Sequence, residues 1–218
     1  MTGTQLDTMA DITLYAWATP NSRRVTIMLE ELGLRYRIHP VNIRAGDQFR
    51  PPMTTLNPFG KIPVLCWSDD AGAHVLAESG AILVALAEYH SALLPLEYSA
   101  RHNVMQWLMV ALTALAPATG QAHHWRSLAS ERSDAAIKHA VSAVRRVYAL
   151  LDSRLGEQAY LAGAYSIADI AAYPWVDRSE WAGLVLHEYP SVKRWFDQLS
   201  ERDAVGRGMA QPQGAALV

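Results

Sequence analysis

The sequence predicts an α/β domain followed by an all-α domain. From Asp11 to about Trp67 the apolar runs are short and separated by Gly, Pro and Asn, the punctuation of strands alternating with helix. From Tyr98 onward the apolar positions keep helical spacing instead. The chain has 218 residues, half of them hydrophobic and 18% charged. That composition supplies core for one large domain or two small ones and excludes disorder as the overall state.

Ile12-Thr13-Leu14-Tyr15 reads as the first strand. Thr19-Pro20-Asn21 then opens a helix: Thr19 suits the cap, Pro20 the first turn, and Val25, Met28, Leu29 and Leu32 keep one face until Gly33 stops it. Arg35 to Val41 is a second strand, so strand, helix and strand imply a parallel pair with a right-handed crossover. After the Pro-rich connector at Arg50-Pro51-Pro52, Lys61 to Trp67 is a third strand with Pro63 at its start, where a missing N–H is tolerated. Asp69 to Gly72 is a turn, Val75-Leu76-Ala77 a short fourth strand, and Ser79 to His90 a helix.

In the second half, Arg101 to Ala116 is one helix. Ala135 to Leu155 is another, with Ile137, Val141, Val144, Val147, Tyr148, Leu151 and Leu155 on its stripe. Ser166-Ile167-Ala168-Asp169 is a capping box ahead of a helix through Trp175, and Val192 to Leu199 is the last helix. Loss of Asp169 from an ordinary cap costs about 0.5–2 kcal/mol. The expected domains are residues 10–92 and 98–205, joined near Leu93–Leu96, with loose tails at 1–9 and 206–218.

A net charge of −2 argues against nucleic acid as a partner. One cysteine, Cys66, excludes an intrachain disulfide, a four-cysteine zinc site and an iron–sulfur cluster. Cys66 lies in the apolar run Val64 to Trp67 and reads as an inert core thiol. Trp107, Trp125, Trp175 and Trp181 read as core, with Trp125 and Trp175 as alternatives for the second-substrate side. His123-His124 are adjacent and share no helix face, so no metal site is expected. The charge-free stretch inside Arg101–Arg126 has an apolar part of only thirteen residues, Val104 to Ala116, against about twenty for a membrane span. No membrane association and no signal peptide are expected, which suggests a cytoplasmic protein.

A βαβ unit, a ββα unit and a helical domain suggest a thioredoxin-like domain joined to a helical bundle. Four motifs make this specific: Thr19-Pro20-Asn21; Asn57-Pro58-Phe59-Gly60-Lys61-Ile62-Pro63-Val64-Leu65; Glu78-Ser79-Gly80-Ala81-Ile82; and Tyr165 to Ala171. In this order they make the sequence resemble the cytosolic glutathione transferase superfamily over roughly Ile12 to Ala204. Thr19-Pro20-Asn21, Val41 to Phe49, Gly120 to Trp125 and Ser166 to Val176 are most similar to its Nu class. That class includes glutathione-dependent disulfide-bond reductases. The resemblance implies a homodimer and a site for glutathione or glutathione disulfide, with glutathione as co-substrate, one or two per subunit.

By the resemblance, Thr19 and Asn21 hold the glutathione thiolate, with Tyr15 and Ser22 as rival activators used by other classes. Taken alone, Thr19 and Asn21 make a helix cap. A thiol of pKa about 8.5 is only a few per cent ionised at pH 7. Lowering it by about two units requires roughly 2.7 kcal/mol. A helix start supplies about 0.3–1 kcal/mol, up to about 2 when partly buried. Hydrogen bonds to the charge add roughly 1.5–3 kcal/mol each. The resemblance also implies that Glu78 holds the glutathione amino group and Ser79 the γ-glutamyl carboxylate. The backbone of Ile62 and Pro63 then pairs with the cysteinyl part, a cis bond turning their polar groups outward. Gln48 contacts the glycyl end and Lys61 neutralises its carboxylate. Phe59-Gly60 stands where the class has a pair of Asn. His139 stands where the class has an Arg that binds glutathione disulfide, and Arg126, Arg132 or Arg145 are candidates to compensate. The implied reaction is thiol–disulfide exchange on a small disulfide. The alternatives are conjugation of glutathione to an electrophile, or glutathione binding without turnover.

Overall fold

Strand β1 (Ala10–Ala16) opens the computed structural model, which describes residues 9–212. Apart from Met9, the expected loose tail at 1–9 lies outside the described residues, as do residues 213–218. Along β1, Ile12, Leu14 and Ala16 are buried while Thr13 and Tyr15 are half-buried, the two-residue period of a strand covered on one face. Helix α1 (Pro20–Glu31) follows and buries Val25, Ile27, Met28 and Leu29. Strand β2 (Arg37–Pro40) returns parallel to β1, as the strand–helix–strand spacing requires. Strand β3 (Val64–Asp69) runs antiparallel to β1, and β4 (Gly72–Ala77) antiparallel to β3, giving the order β2-β1-β3-β4. β3 starts at Val64 rather than Lys61, beyond the residue that cannot donate to a ladder. β4 is longer than expected because Asp69 pairs directly with Gly72 across a tight turn. The connector holds a short helix α2 (Met53–Leu56), one turn long and without a periodicity to announce it. Helix α3 (Ser79–Tyr89) completes the ββα unit and buries Ile82, Leu83, Leu86 and Ala87.

The later helices are α4 (Tyr98–Val110), α5 (Ala116–His123), α6 (Asp134–Glu157), α7 (Ile167–Val176), α8 (Pro190–Ser200) and α9 (Asp203–Met209). The expected helix over 101–116 does not stop there. A π-helical turn at Ala111–Leu115 joins α4 to α5, and another at His124–Leu128 extends the run. Pro117 accounts for the first of these turns: it lacks an N–H and its ring crowds the carbonyl four residues back, and the widened π turn precedes it. On α6 the buried stripe is Ala140, Val144, Tyr148, Leu151 and Leu155. The Ser166–Asp169 capping box is formed: Ser166 Oγ accepts from Ala168 N–H at 3.3 Å and Asp169 from Ser166 N–H at 3.1 Å. Asp169 also accepts from Leu161 N–H at 3.0 Å and from Trp195 Nε1–H at 2.9 Å. Burial pushes its carboxyl up to about 6. Trp107 is buried, whereas Trp125, Trp175 and Trp181 are only partly so.

The chain divides into two compact units. One takes the residues up to Ala85 together with those from Arg207 on, and the other is Leu86–Gly206. The division falls inside α3 rather than in the Leu93–Leu96 linker. The segment from residue 206, expected to be loose, is helical through Met209. Gly208 lies so close to α1 that a Cβ on it would come within 2.5 Å of Ile27 Cα. Thr26 Oγ1 donates to the Gly208 carbonyl at 2.7 Å, and Arg207 Nε pairs with Glu30 at 2.7 Å. Gly208 serves close approach rather than chain flexibility. No helix among the described residues is long and apolar enough to cross a membrane.

Candidate functional site

Strand register assembles the candidate site of the first unit. Tyr15 near the end of β1 pairs with Val64 at the start of β3, and Val64 pairs with Ala77 at the end of β4. Tyr15 also pairs with His39 on β2. One end of one sheet therefore bears four segments: Thr19 onward after β1, Val41 onward after β2, Ile62-Pro63 before β3, and Glu78-Ser79 after β4.

At the start of α1, Thr19 has extended backbone and its hydroxyl oxygen accepts from Ser22 N–H at 3.2 Å. The same hydroxyl donates to Ser22 Oγ at 3.1 Å. Thr19 is therefore the helix cap, and its proton must rotate away from Ser22 to reach a ligand. Asn21, half-buried, is at the second helical position. Pro20 before it has no N–H, so the first-turn donors are fewer than at an ordinary helix start. Ser22 is fully buried, which removes it as a direct partner of a bound thiol. Tyr15 packs against the Val41, Met53 and Val64 cluster, its ring centroid 4.7 Å from that of His39.

The Ile62–Pro63 peptide is cis, with Pro63 buried and Ile62 half-buried. Lys61 is exposed, its ammonium 5.6 Å from the centroid of the Phe59 ring. Asn57, which the motif reading passed over as part of a loop, holds this segment: its amide donates to the Lys61 carbonyl at 2.9 Å and accepts from Phe59 N–H at 3.2 Å. Gln48 is half-buried, donating to the Ile43 carbonyl at 3.3 Å. Its amide oxygen is buried without a hydrogen-bond partner.

At the start of α3, Glu78 is exposed and adopts φ 70°, the left-handed region. A non-glycine residue there costs roughly 1–2 kcal/mol. The turn this buys places Ser79 as the first residue of α3, 6% exposed. Ser79 Oγ accepts from Arg24 Nη1 at 3.2 Å. Arg24, on α1, is 2% exposed, and burial lowers its pKa to about 9. Sequence reasoning missed it. The signal was an arginine on the same helix face as Met28, a position that the apolar spacing marks as inward.

His139 belongs to the other unit. It is exposed on α6, where it lines a groove with Pro117, Gln121 and Trp125. Also in that unit, His123 stacks on Trp181 with ring centroids 4.2 Å apart. Cys66 is half-buried on β3 rather than in the core, because β3 is fully covered only at Val64 and Leu65. Burial still pushes its thiol pKa up.

Family models match both parts of the chain: glutathione S-transferase, N-terminal domain, over residues 18–88, and glutathione S-transferase, C-terminal domain, over residues 101–203. The disulfide-bond oxidoreductase YfcG of Escherichia coli (strain K12) is 37% identical over 206 residues, covering 93% of this chain and 96% of that protein. Among solved structures, a glutathione transferase from Burkholderia graminis with two glutathione molecules bound per subunit matches with a TM-score of 0.88 and 33% identity. The match covers 94% of this chain and 90% of that one. A glutathione transferase from Pseudomonas putida with one glutathione disulfide bound per subunit matches with a TM-score of 0.86 and 32% identity, over 93% and 92% of the two chains.

Proposed function

The chain belongs to the glutathione S-transferase family, and on that premise we propose that it reduces small disulfides by thiol–disulfide exchange with glutathione. The observation that carries this reading is the in-register meeting of four segments at one end of the sheet. Each suits one part of the tripeptide. Glu78 presents a carboxylate to the amino group. Ser79 and the start of α3 present donors to the γ-glutamyl carboxylate, since a helix start favours an anion. Ile62 and Pro63 present backbone groups to the cysteinyl residue in the manner of an added strand. Gln48 and Lys61 face the glycyl end. Thr19 and Asn21 hold the thiolate at the start of α1.

The thiolate attacks one sulfur of the substrate disulfide. A new S–S bond forms, the old one breaks, and the departing thiolate takes up a proton. A second glutathione thiolate then attacks the glutathione sulfur of the mixed disulfide, releasing the second substrate thiol and glutathione disulfide. Two glutathiones are oxidised by two electrons in all, and one disulfide is reduced to two thiols. The role of Asn21 is to stabilise the attacking thiolate, which raises the ionised fraction at neutral pH.

The structures with two glutathiones, or one glutathione disulfide, per subunit support space for both thiols of this reaction. YfcG, named as a disulfide-bond oxidoreductase, supports exchange over conjugation. The working form is a homodimer in the cytoplasm, with residues 10–92 as the glutathione-binding domain and 98–205 as the helical domain.

Calorimetric titration with glutathione and with glutathione disulfide, paired with turnover of a small disulfide and of an aryl halide, tests the proposal. Two glutathiones or one disulfide per subunit, with disulfide turnover exceeding conjugation, is the expected result. One glutathione per subunit with conjugation dominant, or binding with no turnover of either substrate, overturns it.

A further inference from the structure

Trp17 carries a donor that the fold does not use. Its indole Nε1–H is buried and finds no acceptor among the described residues, although the residue as a whole is only half-buried. An indole nitrogen donates and never accepts, and a buried one nearly always has a partner. Burial keeps alternating past the end of β1: Ile12, Leu14, Ala16 and Ala18 are buried, while Thr13, Tyr15 and Trp17 are half-buried. Trp17 therefore continues the face of Tyr15, which packs with Ile62 on the cluster of Val41, Met53 and Val64. The Thr19 N–H donates to the Trp17 carbonyl at 2.7 Å, a three-residue turn that fixes Trp17 beside the cap of α1. The unused donor thus belongs to the end of the sheet where the four segments meet, and to the segment that leads into Thr19 and Asn21.

We propose that Trp17 is a catalytic residue of the exchange, donating its indole N–H to the sulfur that leaves the substrate disulfide. This rests on the reading of the site as a disulfide-exchange site and extends it to the leaving group. In that reading the amino group, both carboxylates, the cysteinyl backbone and the attacking thiolate of glutathione each have a partner. The one charge that the reaction creates without a partner is on the departing sulfur. As the glutathione sulfur bonds to the near sulfur of the substrate, the old S–S bond breaks and its electron pair passes to the far sulfur as a thiolate. The indole N–H is far too weak an acid to give up its proton. It hydrogen-bonds to the new thiolate, and solvent supplies the proton that completes the thiol. The N–H is covered in the free protein, so the sulfur reaches it through a turn of the half-buried ring.

The test measures kcat/KM for a series of small disulfides of similar size at saturating glutathione, with the full-length protein. Their leaving thiols range from a basic alkyl thiol to a weakly basic aryl thiol. Exchange slows as the leaving thiol becomes more basic. Wild type should show a shallower dependence than the uncatalysed reaction with glutathione, because a donor shares the new charge. Trp17→Phe keeps an aromatic ring and removes the N–H. It should lose about tenfold on the alkyl disulfide and less than about twofold on the aryl one, the worth of a charge-assisted contact on the more basic sulfur. Its dissociation constant for glutathione, measured by calorimetry, should match that of wild type. An equal loss on every disulfide, no loss, or a loss explained wholly by weaker glutathione binding overturns the proposal and leaves Trp17 a packing residue. A wild type that binds no glutathione, or turns over no disulfide, overturns the site reading itself. Should Trp17→Phe fail to fold, the wild-type series decides. A dependence as steep as that in solution overturns the proposal, and a shallower one supports it.

Discussion

Ser79 and Ser166 both stand at the start of a buried helix, 6% and 2% exposed, and they are used differently. Ser166 is satisfied within three residues: it accepts from Ala168 N–H and contacts Asp169, which accepts from Ser166 N–H in return. Ser79 meets Arg24, 55 positions away in the chain. The local arrangement closes on itself. The distant one sets a donor-only guanidinium against the Ser79 oxygen, so that the start of α3 is tied to α1. A local partner ties a helix start to itself, and a distant one ties it to another helix.

The sharpest test of the closed arrangement is Asp169→Ala. Asp169 accepts from the Leu161 and Ser166 backbones, the Ser166 hydroxyl and the Trp195 indole. Its removal strands several buried donors at roughly 1–3 kcal/mol each, so a loss of about 3–5 kcal/mol is expected in urea unfolding, more than an ordinary cap is worth. The carboxyl titrates at about 6 in the fold, above the roughly 4 of an unfolded chain. The folded state therefore holds the proton more tightly, and this contribution to wild-type stability falls as pH rises from about 4 to about 6, then stays level. The alanine variant has no such titration, so its penalty should be larger at pH 4 than at pH 7. A penalty independent of pH would show that Asp169 is ionised throughout, its donors outweighing burial.

The start of α1 combines both uses: Thr19 is occupied as a cap, while Asn21 is the residue proposed to meet the thiolate. Asn21→Ala should lower disulfide turnover about tenfold to a hundredfold, the worth of roughly 1.5–3 kcal/mol on the thiolate, with the melting temperature nearly unchanged. Thr19→Ala, by contrast, should cost about 1 kcal/mol of stability through the lost cap, whatever it does to rate. Equal thermal losses in both variants would make Asn21 a second structural residue.

A direct exchange of roles is the next smaller effect. Ser166→Ala should lower unfolding free energy by about 1–2 kcal/mol and leave glutathione affinity as it was. Ser79→Ala should weaken glutathione binding about tenfold, beyond whatever the lost Arg24 contact takes from stability. Calorimetry and urea titration of the same two proteins separate the outcomes, and matching changes in both would erase the contrast between local and distant partners.

That contrast also explains what reading the sequence reaches. The strands and most helices follow from two periods, and the Ser166–Asp169 box from four consecutive residues. Helix α9 did not, because Gly206 and Gly208 read as loosening residues until Ile27 is seen against Gly208. The π turns were hidden behind Pro117, which alone looks like a stop. At the candidate site, the segments bearing Thr19, Pro63 and Ser79 were readable as strand ends and helix starts. Arg24 was not, since its meaning lies in a partner that only the fold supplies. Asn57 was hidden likewise: its two bonds hold the Phe59–Lys61 turn, and a motif string does not distinguish holding a turn from filling one.

Cys66 brings the smallest effect and tests the contrast from the side of the protein's own sulfur. It pairs in register with Thr13 and Val75, so its neighbours are those of any strand residue, and burial raises its thiol pKa. A protonated thiol is a poor nucleophile. Cys66→Ala should keep disulfide turnover within about twofold of wild type and shift stability by no more than about 1 kcal/mol, as deletion at a half-buried site does. Iodoacetamide should alkylate Cys66 in the native protein more slowly than it alkylates free glutathione at the same pH. Fast alkylation together with loss of turnover in the alanine variant would place the protein's own sulfur in the reaction. Slow alkylation with turnover intact leaves the reactive thiols to the ligand, as the site proposed at Thr19, Asn21 and Ser79 requires.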